Sequence, residues 1–96
     1  MDLCMPSICI PQVFHSSTKG DIKLTLEGLL GKGSIYKIDY IYNKHSPHTY
    51  NTVFVHFNPI KPSTISTIMA GRLNSGLDVK IVYSDPWIWK CYRRNK

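Results

Sequence analysis

The sequence predicts an α+β domain, a four-stranded antiparallel sheet with two helices on one face, built in the order β-α-β-β-α-β. Tyr50 to Phe57 alternates as a strand does, with Val53, Val55 and Phe57 on one side and Thr52, Phe54 and His56 on the other. Two windows carry apolar residues at helical spacing, Ile22, Leu26, Leu29 and Leu30 in the first and Ile65, Ile68, Met69 and Leu73 in the second. Gly, Pro, Asn and Ser clusters separate these segments, and no internal repeat or linker divides the chain.

Taken in order, Ser7 to Phe14 reads as the first strand, with Ile8 and Ile10 on one side and Cys9 on the other. Pro11 lacks an amide donor, so it marks the strand's end or an irregularity in the ladder, and the strand closes near Gln12. Ser16, Ser17 and Thr18 supply cap-type hydroxyls, and a helix follows from about 18 to 30, with Asp21 in its first turn and Gly31 and Gly33 stopping it. Ser34 to Tyr42 is rich in β-branched and aromatic residues and forms the second strand, Ile38 and Tyr40 inward, Lys37, Asp39 and Ile41 outward. A polar turn through Asn43 to Thr49 leads back into Tyr50, and Lys44, His45 and His48 on it are placed to touch a ligand or simply to be solvated. After Asn58-Pro59, with Ser63 or a neighbour as the cap, a second helix follows whose apolar side is Ile65, Ile68, Met69 and Leu73. Leu77 to Tyr83 alternates as the last core strand, Val79, Ile81 and Tyr83 inward, and Asp85-Pro86 closes it.

Composition excludes several classes of function. At 96 residues and 43% hydrophobic content the chain holds one core and no second domain, and no apolar run approaches the ~20 residues of a membrane span. Cys4, Cys9 and Cys91 are odd in number and lack C-x-x-C spacing, and the four histidines lack helical pairing around a Glu. Reduced thiols, no metal and no cofactor are expected. The N-terminus lacks the basic and apolar regions of a secretory signal, so an intracellular location is expected. Net charge is +6, and Lys90, Arg93, Arg94 and Lys96 crowd the last seven positions without an acid among them. We therefore divide the chain into a domain over 1–86 and an aromatic and basic tail over 87–96. Trp87, Trp89, Lys90, Tyr92, Arg93 and Arg94 interleave rings with cations as single-strand binders do, while burial of at least one indole against the core is the competing reading.

With right-handed crossovers, the strands at 7–14 and 50–57 become central neighbours, which brings Cys9, Phe54 and His56 together on the face that no helix covers. An aromatic between small polar groups on such a face is a platform for a nucleobase. These two strands resemble the ribonucleoprotein motifs of the RNA recognition motif family, whose longer motif runs basic, Gly, aromatic, Gly or Ala, aromatic, aliphatic, any, aromatic. Val55 and Phe57 fall on its core positions and Phe54 on a base-stacking one. Tyr50 and Asn51 replace the basic residue and Gly, Val53 is larger than Gly or Ala, Thr52 replaces a second stacking aromatic, and Cys9 replaces the aromatic of the shorter motif, Ile8 to Val13. Two absent platforms correspond to a loss of ~2 to 6 kcal/mol of stacking. Ser7 to Pro11, Val53 to Phe57 and Val79 to Trp87 with Trp89-Lys90 are similar to small RNA-recognition-motif-like proteins encoded by large DNA viruses.

What this implies is a ferredoxin-like, RNA-recognition-motif-like fold and a non-catalytic module for single-stranded RNA or DNA. Phe54 stacks, Thr52, His56 and Gln12 offer polar edges, and Trp89, Lys90, Arg93 and Arg94 hold the strand. The alternative is a protein-interaction module or virion component that uses the same surface as a dry interface, with Cys9, Ile41 and Val82 on it. The expected setting is a host cytoplasm, a virus factory or a virion, with no membrane and no small-molecule substrate. No enzyme is expected: acylphosphatases of that fold need an anion cradle with Arg after the first strand, where Phe14-His15-Ser16-Ser17 has neither Arg nor Gly, and copper chaperones need paired thiols there. Ser16 or Ser17 beside His15 has no residue to orient the imidazole.

Overall fold

The computed structural model describes residues 2–42 and 50–94. Its elements are β1 (Ile8–Phe14), α1 (Lys19–Leu30), β2 (Ile35–Ile41), β3 (Tyr50–Phe57), α2 (Thr64–Asn74), β4 (Val79–Ser84) and β5 (Trp87–Arg93). They form one five-stranded sheet in the order β2-β3-β1-β5-β4, with every neighbouring pair antiparallel.

The fifth strand overturns the four-stranded, ferredoxin-like expectation. Asp85-Pro86 ends β4 but also turns the chain, so residues 87–93 return as β5 and slot between β4 and β1. In the expected topology β4 itself would lie against β1; here it is displaced to the edge. Alternation explains why. Trp89 is 1% exposed and Cys91 0%, both on the helix side opposite Ile81 and Val79, while Ile88, Lys90 and Tyr92 point the other way. Burying one indole, at ~25 cal/mol per Å² over roughly 150–250 Å², supplies about 4–6 kcal/mol at most. An exposed tail would forgo that burial.

The core lies between the helices and the inward residues of the sheet: Ile8, Ile10, Val13, Val53 and Val55 from the centre, Trp89 and Cys91 from β5, and Ile22, Leu26, Met69 and Leu73 from the helices. Helix α1 starts with a reciprocal cap, Thr18 accepting from the Asp21 amide while the Asp21 carboxylate accepts from the Thr18 amide, and ends at Gly31, whose φ of 107° suits only glycine. Helix α2 is rotated from the expected orientation. Ser66, Met69, Ala70 and Leu73 are its buried residues, whereas Ile65 and Ile68 stand 47% and 58% exposed. The Ser66 hydroxyl accepts from the Ser63 amide at 2.8 Å as part of the cap, so it can be buried without loss, and with Ala70 it lets the helix sit close to the sheet.

A bulge between Ile10 and Val13 adds one residue to β1 at Pro11-Gln12, so the strand does not close there but runs on to Phe14. Beyond it, Asn51 is fully buried and donates through Nδ2 to the Tyr40 hydroxyl at 2.9 Å, which donates in turn to the Ser17 carbonyl at 2.7 Å. Trp89→Ala removes the largest fully buried side chain and is expected to destabilise the fold by about 3–5 kcal/mol in urea titration. An exposed Trp87→Ala, tested alongside, is expected to cost far less.

Candidate functional site

The face opposite the helices is built by register. One row crosses four strands: Asp39 pairs with Phe54, Phe54 with Cys9, and Cys9 with Tyr92. A second row sets Lys37 beside His56 and Ser7, and Arg94 follows just past β5. On the far side Lys90 pairs with Lys80 and Ile88 with Val82. Phe54 is thus outward and uncovered by either helix, half-buried among its sheet neighbours.

Arg94 caps that ring, its guanidinium carbon 4.5 Å from the Phe54 centroid, a cation–π contact. The backbone holds it there, because the Arg94 amide donates to the Ser7 carbonyl at 2.9 Å. His56 is fixed from both ends. Its Nε2 lies 3.0 Å from Asp39 Oδ2 and its Nδ1 2.8 Å from Ser7 Oγ. A carboxylate only accepts, so Nε2 carries the proton, and in the neutral ring Nδ1 accepts from the Ser7 hydroxyl. Arg94 Nη1 sits 3.4 Å from the same Nε2; with both groups donors this is a contact, not a hydrogen bond. The hydrogen bond from His56, aided by Lys37 at 3.4 Å, holds the Asp39 carboxyl below its ordinary value near 3.8. Burial pushes the Cys9 thiol up, opposed by the Arg94 charge, and drives the Cys91 thiol to about 12. Both are packing thiols in their neutral form.

Two concavities flank the aromatic row. One, of about 530 Å³, is lined by Pro6, Ser7, His56, Arg93 and Arg94. The other, of about 450 Å³, opens where β1 bulges away from β5, which it pairs only at Ile8 and Cys9, and is lined by Pro11, Gln12, Ile88, Lys90 and Tyr92. Each offers cationic and hydrogen-bonding groups beside a ring, suited to a phosphate and the edge of a base.

Of the residues singled out in the sequence, Phe54, His56 and Arg94 come together, and Gln12 and Lys90 share the second concavity. Thr52 lies on the same face next to Ile41, its hydroxyl 3.5 Å from the Pro11 carbonyl. Arg93 is exposed at the end of β5, but it pairs with the core residue Ile8 and shares the parity of Trp89 and Cys91, so it leaves the strand on the helix side and not on the open face. Trp89 is the correction: it lies in the core, stacked on Tyr83 at 4.4 Å, with the sheet between it and the open face. Lys44, His45, His48 and Lys96 lie outside the described residues. Sequence reasoning missed Asp39 as a site residue and named Tyr92 only within the aromatic and basic tail. The alternation of Ile88, Lys90 and Tyr92 contained the signal for Tyr92, but only the buried position of Trp89 says which side faces out.

Among the described residues no group of three or more His, Cys, Asp or Glu is placed to hold a metal ion, and no helix is long and apolar enough to cross a membrane. The molecule is a small globular α+β domain, a five-stranded antiparallel sheet with two helices on one face and a ring-and-cation surface on the other. Comparisons with protein-family models, with curated proteins and with solved structures find no match.

The Asp39–His56 contact predicts a pH dependence. Because the folded state depresses the Asp39 pKa, the stability it contributes is present above the unfolded value and is lost as pH falls through the folded one. Wild type should exceed Asp39→Asn in stability at neutral pH, and the gap should close as pH falls below the ordinary carboxyl value near 3.8, read by urea unfolding across that range.

Proposed function

We propose that the open sheet face binds single-stranded nucleic acid without sequence-specific readout, and that it does so without catalysis. The observation that carries this reading is the row itself: a guanidinium already lies on the Phe54 ring, Tyr92 stands two strands away across Cys9, and Lys90 flanks it. Bases stack on aromatic rings and on guanidinium planes alike, so successive bases can rest on Tyr92 and on Arg94 while a phosphate meets Lys90. Arg94 thereby takes the part that a second aromatic plays in the ribonucleoprotein motifs that β1 and β3 resemble.

The +6 charge favours the same class of ligand. In this reading RNA is the first ligand to test, and the likeness around Asp85-Pro86-Trp87 to small proteins of large DNA viruses suggests a role inside an infected cell or a virion. A second reading has its own support. Ile41, Val82 and Ile88 are 47%, 58% and 40% exposed on this face, which suits a protein partner.

Labelled single-stranded RNA and DNA titrated against wild type, Phe54→Ala, Tyr92→Ala and Arg94→Ala separate the two. Loss of one stacking ring is expected to weaken binding by about 1–3 kcal/mol, roughly 5- to 150-fold. If Lys90 and Arg94 each meet a phosphate, log affinity should fall against log salt with a slope of about −1.4. Equal weak retention by all four proteins, with a slope near zero, would overturn the reading.

A further inference from the structure

Three adjacent strands each contribute one polar group to a single relay on the open face: Asp39 from β2, His56 from β3, and Ser7 just ahead of β1. Asp39 Oδ2 accepts from His56 Nε2 at 3.0 Å, and His56 Nδ1 accepts from the Ser7 hydroxyl at 2.8 Å. A carboxylate thus fixes an imidazole with its lone pair aimed at a hydroxyl, the arrangement that activates a serine for attack on a carbonyl. Among the described residues no other serine hydroxyl bonds an imidazole; Ser63 and Ser66 are spent on each other and on the cap of α2. Ser7 is also held in place, because its carbonyl accepts from the Arg94 amide at 2.9 Å and the next residue, Ile8, is fully buried. The His56 and Asp39 side chains are 23% and 37% exposed, shielded on the sheet side and open to a reagent on the other. The concavity of about 530 Å³ beside them is lined by Pro6, Ser7, His56, Arg93 and Arg94 and has no acid in its wall. Among the described residues neither arginine has a carboxylate within ion-pair distance, so negative charge developing beside Ser7 meets cations that are not already neutralised.

We infer that Ser7 is a nucleophilic serine, a modification site that takes an acyl group from an activated donor carrying negative charge, of which an acyl phosphate is the simplest. Ser7 Oγ attacks the carbonyl carbon and a C–O bond forms, while the Oγ proton passes to His56 Nδ1. The bond from that carbon to the phosphate oxygen then breaks. Phosphate leaves with the electron pair and takes the proton from His56, so the products are the serine ester and hydrogen phosphate. Asp39 touches no reacting atom. It is a positioning residue that sets which nitrogen carries the proton, and the hydrogen bond that keeps its carboxyl below the ordinary value keeps it charged while the imidazole is neutral. One serine is consumed per chain, a stoichiometric modification without turnover. It is independent of nucleic-acid binding by the same face, and either can fail alone.

The full chain incubated with acetyl phosphate and, separately, with neutral p-nitrophenyl acetate tests this, the acetylated residues being located by peptide mass spectrometry over time. The expected result is one acetyl group on Ser7, with a rate advantage over the urea-unfolded chain that is larger for acetyl phosphate. Ser7→Ala should lose that label with an unchanged circular dichroism spectrum, and His56→Gln should slow it by about 100-fold or more. In wild type the rate should rise with pH and level off once the imidazole is neutral, a plateau that His56→Gln should lack. Nitrogen-15 spectra of the His56 ring should show the Nε2–H tautomer in wild type and a mixture in Asp39→Asn, together with slower labelling. Acetyl groups on lysines with Ser7 unlabelled, equal rates in wild type and His56→Gln or in folded and unfolded chain, an equal advantage with both donors, or a phosphoryl group on Ser7 in place of acetyl would each overturn the proposal.

Discussion

Trp89 and Cys91 sit on the inner side of β5, and their burial holds that strand between β1 and β4. Nearly everything about the surface follows from this placement. With the indole inside, strand alternation obliges Ile88, Lys90 and Tyr92 to face outward, and the Tyr92 ring lands beside Cys9. The chain then leaves β5 at the point where Ser7 can accept the Arg94 amide, which sets the guanidinium on Phe54. The same insertion moves β4 to the rim, where its outer edge and the uncovered side of α2 define a second surface. Burial of Trp89 and Cys91 thus determines both where cations meet rings and which strand takes that edge of the sheet.

The open face is ordered rather than merely exposed. His56 holds a defined tautomer through Asp39 and Ser7, and Lys37 steadies the same carboxylate. Exposed ion pairs of this sort contribute little stability one at a time. Their effect here is positional: they occupy the polar groups around Phe54 and leave Arg94 over the ring instead of paired with Asp39. A guanidinium placed over a ring keeps N–H donors available, so the residue can offer a contact surface and a charge together.

Much of the fold was legible in the chain. The periods of Tyr50 to Phe57, of Ile22-Leu26-Leu30 and of Val79 to Tyr83 fixed those elements, the caps at Thr18 and Ser63 marked both helix starts, and the pairing of Cys9 with Phe54 followed from topology. The readings that failed did so for identifiable reasons. Asp85-Pro86 reads as the end of the sheet, although a turn residue ends a strand and says nothing about whether the next one pairs. Ile65 and Ile68 share helical spacing with Met69 and Leu73, whereas the small Ser66 and Ala70 allow the closer approach and set the buried side. Hydrophobicity ranks candidates for burial; fit to the neighbouring element decides among them.

By itself the sequence determined which side chains could share a face, because alternation along a strand and periodicity along a helix are local and geometric. It determined that Phe54 and His56 travel together, that Trp89 travels with Cys91, and that Lys90 travels with Tyr92. Which member of each alternating set turns inward, and which strand comes to lie beside which, was decided only in three dimensions. The physical reason is that the free energy separating those choices comes from burial between segments far apart in the chain, and no local pattern contains it.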